Sequence, residues 1–312
     1  MDIILLFPGQ GSQKPGMGKD LAERYPEARA AFETADRTLG IPLSTLCFEG
    51  PEAELTATRN AQPALLAHGA AAWAVVRDRL RPMVRAAAGH SLGEFTAHHA
   101  AGTFALADAL QIVRRRGELM NESGERRPGT MAAIIGLAEA AVEEACRRAS
   151  AEGGVVVPAN YNTPEQLVIS GEVAAVERAM ALAKEAGAKR ALRLNVSGAF
   201  HSPLMEVAAD GLRDALGAAD ACPPDFPVYS NVSAQPAQGL EDATSLLVRQ
   251  LTSPVRWTDE VRNMAAAHSD ALFLELGPGS VLGNLVKRIV PGARTAACGT
   301  VADIEHLLST IA

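Results

Sequence analysis

Residues Ile3–Phe7 form an unbroken apolar run closed by Pro8-Gly9, the pattern of a short strand buried on both faces of a parallel sheet. Apolar positions at helical spacing predict helices over Met17–Leu39, Ala64–Arg79, Leu92–Ala100 and Leu106–Met120. Between the second and third of these, Met83–Ala88 is apolar except for Arg85 and ends at Gly89, as a second buried strand would. Phe226–Tyr229 and Leu272–Leu276 read as two more. Strands alternating with helices predict an α/β core around a parallel sheet.

A polar stretch with two glycines and a proline, Asn121–Thr130, breaks this rhythm. Beyond it the pattern predicts strand Met131–Gly136, helix Ala138–Ser150, strands Val155–Ala159 and Gln166–Ser170, helix Glu172–Ala186 and strand Lys189–Asn195. The order βαββαβ is the ferredoxin-like arrangement. The chain thus divides into a large domain of residues 1–125 and 198–312 and a small inserted domain of residues 126–197. A cleft between two such bodies is a natural place for a ligand.

With 29 Lys+Arg against 36 Asp+Glu, the net charge of −7 and the lack of a basic tail argue against nucleic acid as a partner. Hydrophobic residues at 48% support a real core, yet the longest nearly apolar run, Ala64–Val76, is too short to span a bilayer. The N-terminus lacks the basic start and long apolar stretch of a signal peptide. Cys47, Cys146, Cys222 and Cys298 are too far apart for a zinc or redox motif. A cytoplasmic protein, not bound to a membrane, is expected.

Gly89-His90-Ser91-Leu92-Gly93 matches G-x-S-x-G, in which a strand turns sharply into a helix and leaves a serine exposed at the helix N-terminus. Unpaired N–H groups and the helix dipole there favour a developing oxyanion. The same residues also read as a capping box without chemistry, Ser91 to Glu94. Of seven histidines, His68 lies in an apolar helix, His98 and His99 sit two turns along the helix that Ser91 starts, and His268 and His306 have polar surroundings. His90 adjoins Ser91 but should point away from it. His201, between the last small-domain strand and a helix beginning at Pro203, is the best placed base. In Arg114-Arg115-Arg116, only Arg116 falls on the apolar stripe with Ala109, Val113 and Met120. A buried guanidinium needs an anion; helical phase leaves open whether that is a structural carboxylate or a substrate's. Gly9-Gln10-Gly11-Ser12 and Gly277-Pro278-Gly279-Ser280 complete neither a dinucleotide nor a P-loop fingerprint and read as tight turns, of which one could supply an oxyanion N–H.

Taken in order, Pro8-Gly9-Gln10-Gly11-Ser12-Gln13, Gly89-His90-Ser91-Leu92-Gly93-Glu94, Arg116-Gly117 and Gly198-Ala199-Phe200-His201-Ser202 resemble the malonyl-CoA:acyl carrier protein transacylase family. Asn160-Tyr161-Asn162 with Gln166, Gln250 ahead of Pro254-Val255, and Glu275-Leu276-Gly277-Pro278-Gly279 fit the same pattern, so the resemblance spans residue 3 to about 290. It implies an α/β-hydrolase-like large domain carrying the ferredoxin-like insert. It further implies Ser91 as nucleophile, His201 as its base held by a backbone carbonyl at Gln250, an oxyanion hole from the N–H groups of Gln10 and Leu92, and Arg116 as the clamp for the malonyl carboxylate. Gln62, Asn160, Asn162 and Asn231 match polar positions lining or bracing the site. Phe200 matches the residue of malonyl-selective members, where a ring should crowd a methylmalonyl branch. Thr96-Ala97-His98-His99 is more polar than the matching helix of fatty-acid members, and His99 is similar to polyketide acyltransferases in this respect.

The partners implied are malonyl-CoA and holo acyl carrier protein. No metal or redox cofactor is called for, and action as a monomer is expected. Carrier proteins are acidic, and Arg190, Arg193, Lys287 and Arg288 are candidates to meet one. A thioesterase that clears acyl groups with the same Ser91–His201 pair is the competing reading; Arg116 counts against it, since an uncarboxylated chain would leave that charge unpaired. A non-enzymatic docking scaffold would be marked by loss of the nucleophile or base, and both are present.

Overall fold

In a computed structural model describing residues 1–310, the strands are β1 (Ile3–Phe7), β2 (Val84–Gly89), β3 (Gly129–Ile135), β4 (Val156–Thr163), β5 (Gln166–Glu172), β6 (Arg190–Arg193), β7 (Leu272–Glu275) and β8 (Arg294–Ala297). They form two sheets. The first, in the order β2-β1-β7-β8, is parallel throughout. Its central strand β1 is buried at every residue, because helices cover both faces and no position can be polar. The second sheet, β4-β5-β3-β6, is antiparallel, and with helices Glu139–Ala151 and Val173–Glu185 it makes the ferredoxin-like unit. The fold is therefore a parallel-sheet α/β body with a separate small antiparallel-sheet unit.

Several elements differ from the sequence reading, each for a local reason. The predicted helix Met17–Leu39 is two, Lys19–Arg24 and Pro26–Leu39, since Pro26 begins a new helix and cannot continue the old one. The helix predicted from Ala64 starts at Thr58 and takes in Pro63. The Arg59 carbonyl, which Pro63 cannot bond, accepts instead from Arg114 Nη1 at 3.1 Å. The predicted break after Met120 is helical to Arg126. Gly124, read as a breaker, is a packing residue: a Cβ there would stand 2.1 Å from the Ser197 carbonyl oxygen of the returning chain. Phe226–Tyr229 is no full strand; among prolines that lack N–H donors it makes one bridge to the edge of β2, Val228 to Ala87. Strand β8, short and only partly buried, gives no apolar run to read.

The two units are stitched where β4 passes helix Trp257–Ala267. Tyr161 N–H donates to the Val255 carbonyl at 2.9 Å, Val255 N–H to Ala159 at 2.8 Å, and Thr258 Oγ1 to the Tyr161 carbonyl at 2.9 Å. This seam holds the small unit against the large one.

Candidate active site

The end of β2 turns into helix Leu92–Ala100 within three residues, and two glycines make that possible. A Cβ on Gly89 would lie 1.8 Å from the Gly93 carbonyl carbon, and one on Gly93 would lie 1.9 Å from the Phe7 carbonyl oxygen. Only hydrogen fits at either point. Ser91 is thereby forced to φ 52°, a region that a side chain seldom adopts. Its hydroxyl makes no cap bond, so the capping-box reading fails. Among the described residues two other non-glycine residues have positive φ, and one of them is His201 at 57°. Strain is thus stored at the serine and at the histidine.

Ser91 Oγ and His201 Nε2 are 2.7 Å apart, and His201 Nδ1 is 2.8 Å from the Gln250 carbonyl oxygen. A carbonyl only accepts, so Nδ1 carries the proton and Nε2 is left to accept from the Ser91 hydroxyl. Burial, reinforced by the nearby Arg116 charge, pushes the His201 pKa down to about 3, which keeps the ring neutral. His201 is placed by the following turn: Ser202 Oγ donates to the Ala199 carbonyl at 2.6 Å and accepts from Leu204 N–H at 3.3 Å, capping the 3-10 helix Pro203–Ala208.

Arg116 enters from helix Leu106–Arg126, which crosses helix Thr58–Leu80 so closely at Gly117 that a Cβ there would stand 2.9 Å from Arg59 Cα. That crossing brings Arg116 Nη1 to Gln62 Oε1 at 2.7 Å. Nη2 donates to Gln250 Oε1 at 2.8 Å and to Ser91 Oγ at 3.2 Å. The guanidinium is 1% exposed and lies 5.2 Å over the Phe95 ring; its Nε has no partner among the described residues. Burial lowers its pKa only to about 10, so it stays charged at neutral pH. Its fork therefore rests on neutral oxygens beside the serine and can meet an anion there.

Asn231 holds the serine from behind. Its Oδ1 accepts from Ser91 N–H at 2.7 Å, and its Nδ2 donates to the Gly89 carbonyl at 2.8 Å. Asn162 Oδ1 is 2.8 Å from His90 Nε2, a link from the small unit to the turn itself. Asn160, on the same face of β4, has its Oδ1 buried without a partner among the described residues. Gln10 sits in the turn after β1 with its side chain tied to Thr58 Oγ1 at 3.2 Å. Leu92 opens its helix, so its N–H has no intrahelical acceptor. Phe200 is 6% exposed beside His201.

Ser91, His201, Arg116, Gln62, Gln250 and Asn231 thus form one hydrogen-bonded group, which Asn162 joins through His90. His90 was set aside from sequence, yet it is the turn's contact with the small unit. The carboxylates of Glu94 and Glu260 also escaped the sequence reading as site residues; both lie buried beneath Asn231. Glu94 showed as a capping candidate and as the end of the serine motif, without a role of its own, and Glu260 gave no signal. The polar run Thr96–His99 is satisfied within the large unit, His98 Nδ1 at 3.1 Å from Thr103 Oγ1 and His99 Nδ1 at 3.0 Å from the Phe104 carbonyl. The second Gly-rich turn is a helix start already occupied: Glu275 accepts from Leu282 and Gly283 N–H at 3.1 and 2.8 Å.

Residues 4–304 match the family described as "Acyl transferase domain". The chain is 46% identical over 310 residues to the malonyl CoA-acyl carrier protein transacylase of Bacillus subtilis, covering 99% of this chain and 97% of that one. The crystal structure of the acyl-carrier-protein-S-malonyltransferase from Bartonella henselae superposes with a TM-score of 0.95 at 42% identity, covering 100% of this chain and 99% of that one. A solved complex of a malonyl-transacylase with its holo type II PKS acyl-carrier protein gives a TM-score of 0.94 at 42% identity, covering 99% and 100%.

Proposed function

The chain belongs to the acyl transferase domain family, and from that premise we propose that it moves a malonyl group from malonyl-CoA to the phosphopantetheine thiol of holo acyl carrier protein. The observation that carries this reading is Arg116: a buried guanidinium 3.2 Å from the Ser91 hydroxyl, held by two neutral amides and free to take a carboxylate. A malonyl thioester offers a carboxylate two bonds beyond its reacting carbonyl, so one end meets Arg116 while the other meets Ser91.

Ser91 Oγ attacks the thioester carbonyl as its proton passes to His201 Nε2. The tetrahedral oxyanion is held by the N–H groups of Gln10 and Leu92. The carbon–sulfur bond breaks, CoA leaves as the thiol with the proton from His201, and malonyl remains as an ester on Ser91. The carrier's thiol then gives its proton to His201 and attacks that ester, and the new thioester departs as Ser91 recovers its proton. One thioester replaces another, so the transfer runs near equilibrium and in both directions. A thiolate leaves readily, which is why a neutral carbonyl at Gln250 suffices to orient His201 where an amide-cleaving enzyme uses a carboxylate.

In this reading residues 126–197 form the small domain, Asn160 and Asn162 present its polar edge to the acyl chain, and Phe200 crowds a branched substrate. Action as a monomer belongs to the same reading. Arg190 and Gln166 stand in register with the same β3 residue, Ile135, and Arg288 Nη1 reaches Gln166 Oε1 at 3.5 Å. Arg190 and Arg288 therefore lie near one edge of the small sheet and, with the exposed Lys287 beside Arg288 in the chain, offer a basic rim that fits an acidic carrier, whereas Arg193 faces Glu177 at 3.5 Å. No described helix is long and apolar enough to cross a membrane.

Intact-mass measurement after mixing with malonyl-CoA or acetyl-CoA tests the proposal. The expected result is one malonyl unit added to the parent protein and none to Ser91→Ala, with acetyl added far more slowly. Equal labelling by the two thioesters would remove the role given to Arg116.

A further inference from the structure

Gln250 serves two masters. Its main-chain carbonyl orients His201, and its side-chain Oε1 accepts from Arg116. A primary amide can be turned over with little change of shape, exchanging its oxygen for its nitrogen. Turned over, it would point an N–H donor at the guanidinium, itself donors only, and Arg116 would lose one of its two amide supports. Something must fix which way the amide faces.

Glu94 is placed to do this. Its Oε2 accepts from Gln250 Nε2 at 2.6 Å and from Asn231 N–H at 3.1 Å. The remaining contacts of Gln250 Nε2, the Ser91 carbonyl at 3.0 Å and Asn231 Oδ1 at 3.2 Å, are acceptors too, but longer. Asn231 is itself locked, with Nδ2 on Glu260 and the Gly89 carbonyl. Glu94 is 1% exposed, and its other oxygen, Oε1, has no partner among the described residues. It has no surface ion pair to explain it and no place in the acyl-transfer steps. We infer that Glu94 is a positioning residue for the carboxylate clamp: its Oε2 fixes the orientation of the Gln250 amide and, through it, the aim of the Arg116 guanidinium.

The arrangement is a relay of alternating donors and acceptors, Glu94 to Gln250 to Arg116, each link satisfied in one sense only. Burial pushes Glu94 up to about 7. A proton taken up there has the free Oε1 to occupy, so Oε2 accepts in either state and the relay keeps its direction. The inference rests on the transacylase reading, because the relay has a purpose only if Arg116 grips a substrate carboxylate.

Three variants test it. Glu94→Met keeps the volume and removes the acceptor; Glu94→Gln keeps an acceptor oxygen; Gln250→Met removes the amide and leaves the carbonyl that holds His201. The rates of Ser91 labelling by malonyl-CoA and acetyl-CoA are measured for each, with a thermal melt to establish folding. Glu94→Met should lose roughly tenfold or more of the malonyl-over-acetyl preference, the scale of one hydrogen bond to a charged group. The loss should lie in KM for malonyl-CoA, with acetyl labelling little changed. Glu94→Gln should recover most of the preference, and the double variant Glu94→Met/Gln250→Met should be no worse than Gln250→Met alone. If Glu94→Met does not fold, the inference stands on Glu94→Gln keeping the preference that Gln250→Met loses, and falls if those two behave alike. A folded Glu94→Met with unaltered preference overturns it, as does a double variant in which the two losses multiply. A parent protein that takes no malonyl group would instead sink the transacylase reading.

Discussion

In the proposed mechanism His201 takes the proton of Ser91, and that role turns on the residue's buried surroundings. Exposed imidazole titrates near 6.5, so half the molecules would lack a base at that pH. Here desolvation and the Arg116 charge both disfavour the imidazolium, and the folded-state value falls to about 3. A lowered value means that the neutral base survives acidification. The rate of Ser91 acylation by malonyl-CoA should therefore hold from pH 8 down to pH 5 with no inflection near 6.5, measured by quench and mass analysis. An acid limb centred near 6.5 would show that the ring is solvated. At the same scale, the positive φ of Ser91 and His201 marks both reacting groups as held by their neighbours rather than by preference.

Elements, not single side chains, decide where Arg116 points. Two helices cross at Gly117 with backbone against backbone, and the crossing sets the 2.7 Å contact of Arg116 with Gln62. Gly117→Ala would place a methyl 2.9 Å from Arg59 Cα and from the Thr58 carbonyl oxygen, and neither can swing aside. The helices must separate by some tenths of an ångström. Overpacking of this kind costs about 1–3 kcal/mol, which urea unfolding should register. The same shift should weaken malonyl labelling more than acetyl labelling, since in the proposed function only the malonyl carboxylate meets Arg116. Gly89, Gly93 and Gly124 do the same for other crossings, which is why this fold places glycine inside and beside its helices. The sequence showed Gly89 and Gly93 as a turn and Gly124 as a break; a residue without a side chain looks alike whether the chain bends there or another segment passes close.

Across the whole molecule, a protein of net charge −7 must receive a carrier that is also acidic, so charge distribution matters more than the total. Reversing Arg190, Lys287 and Arg288 together to glutamate should cut kcat/KM for the carrier by about tenfold or more at low salt and flatten its salt dependence. Thermal stability should hold, because all three are exposed. An unchanged rate would place the carrier on another face. The division of labour between chain and fold is plain at this scale. Residue order alone determined the parallel-sheet body, the βαββαβ insert, the serine turn and the histidine after the insert, because strand burial, helical period and glycine turns are local and leave a mark within a few residues. It also put Arg116 on a buried stripe, but not which anion it meets. Only the tertiary structure showed that its hydrogen-bond partners among the described residues are neutral oxygens and no carboxylate. Gln62, Asn231, Gln250 and Glu94 stand between 54 and 156 positions from the groups they hold, counting Arg116, Ser91 and Gln250 as those groups, far beyond one helical turn in every case. A hydrogen bond between residues so distant leaves no periodic trace, since polar side chains carry no record of their partner until folding brings the two together.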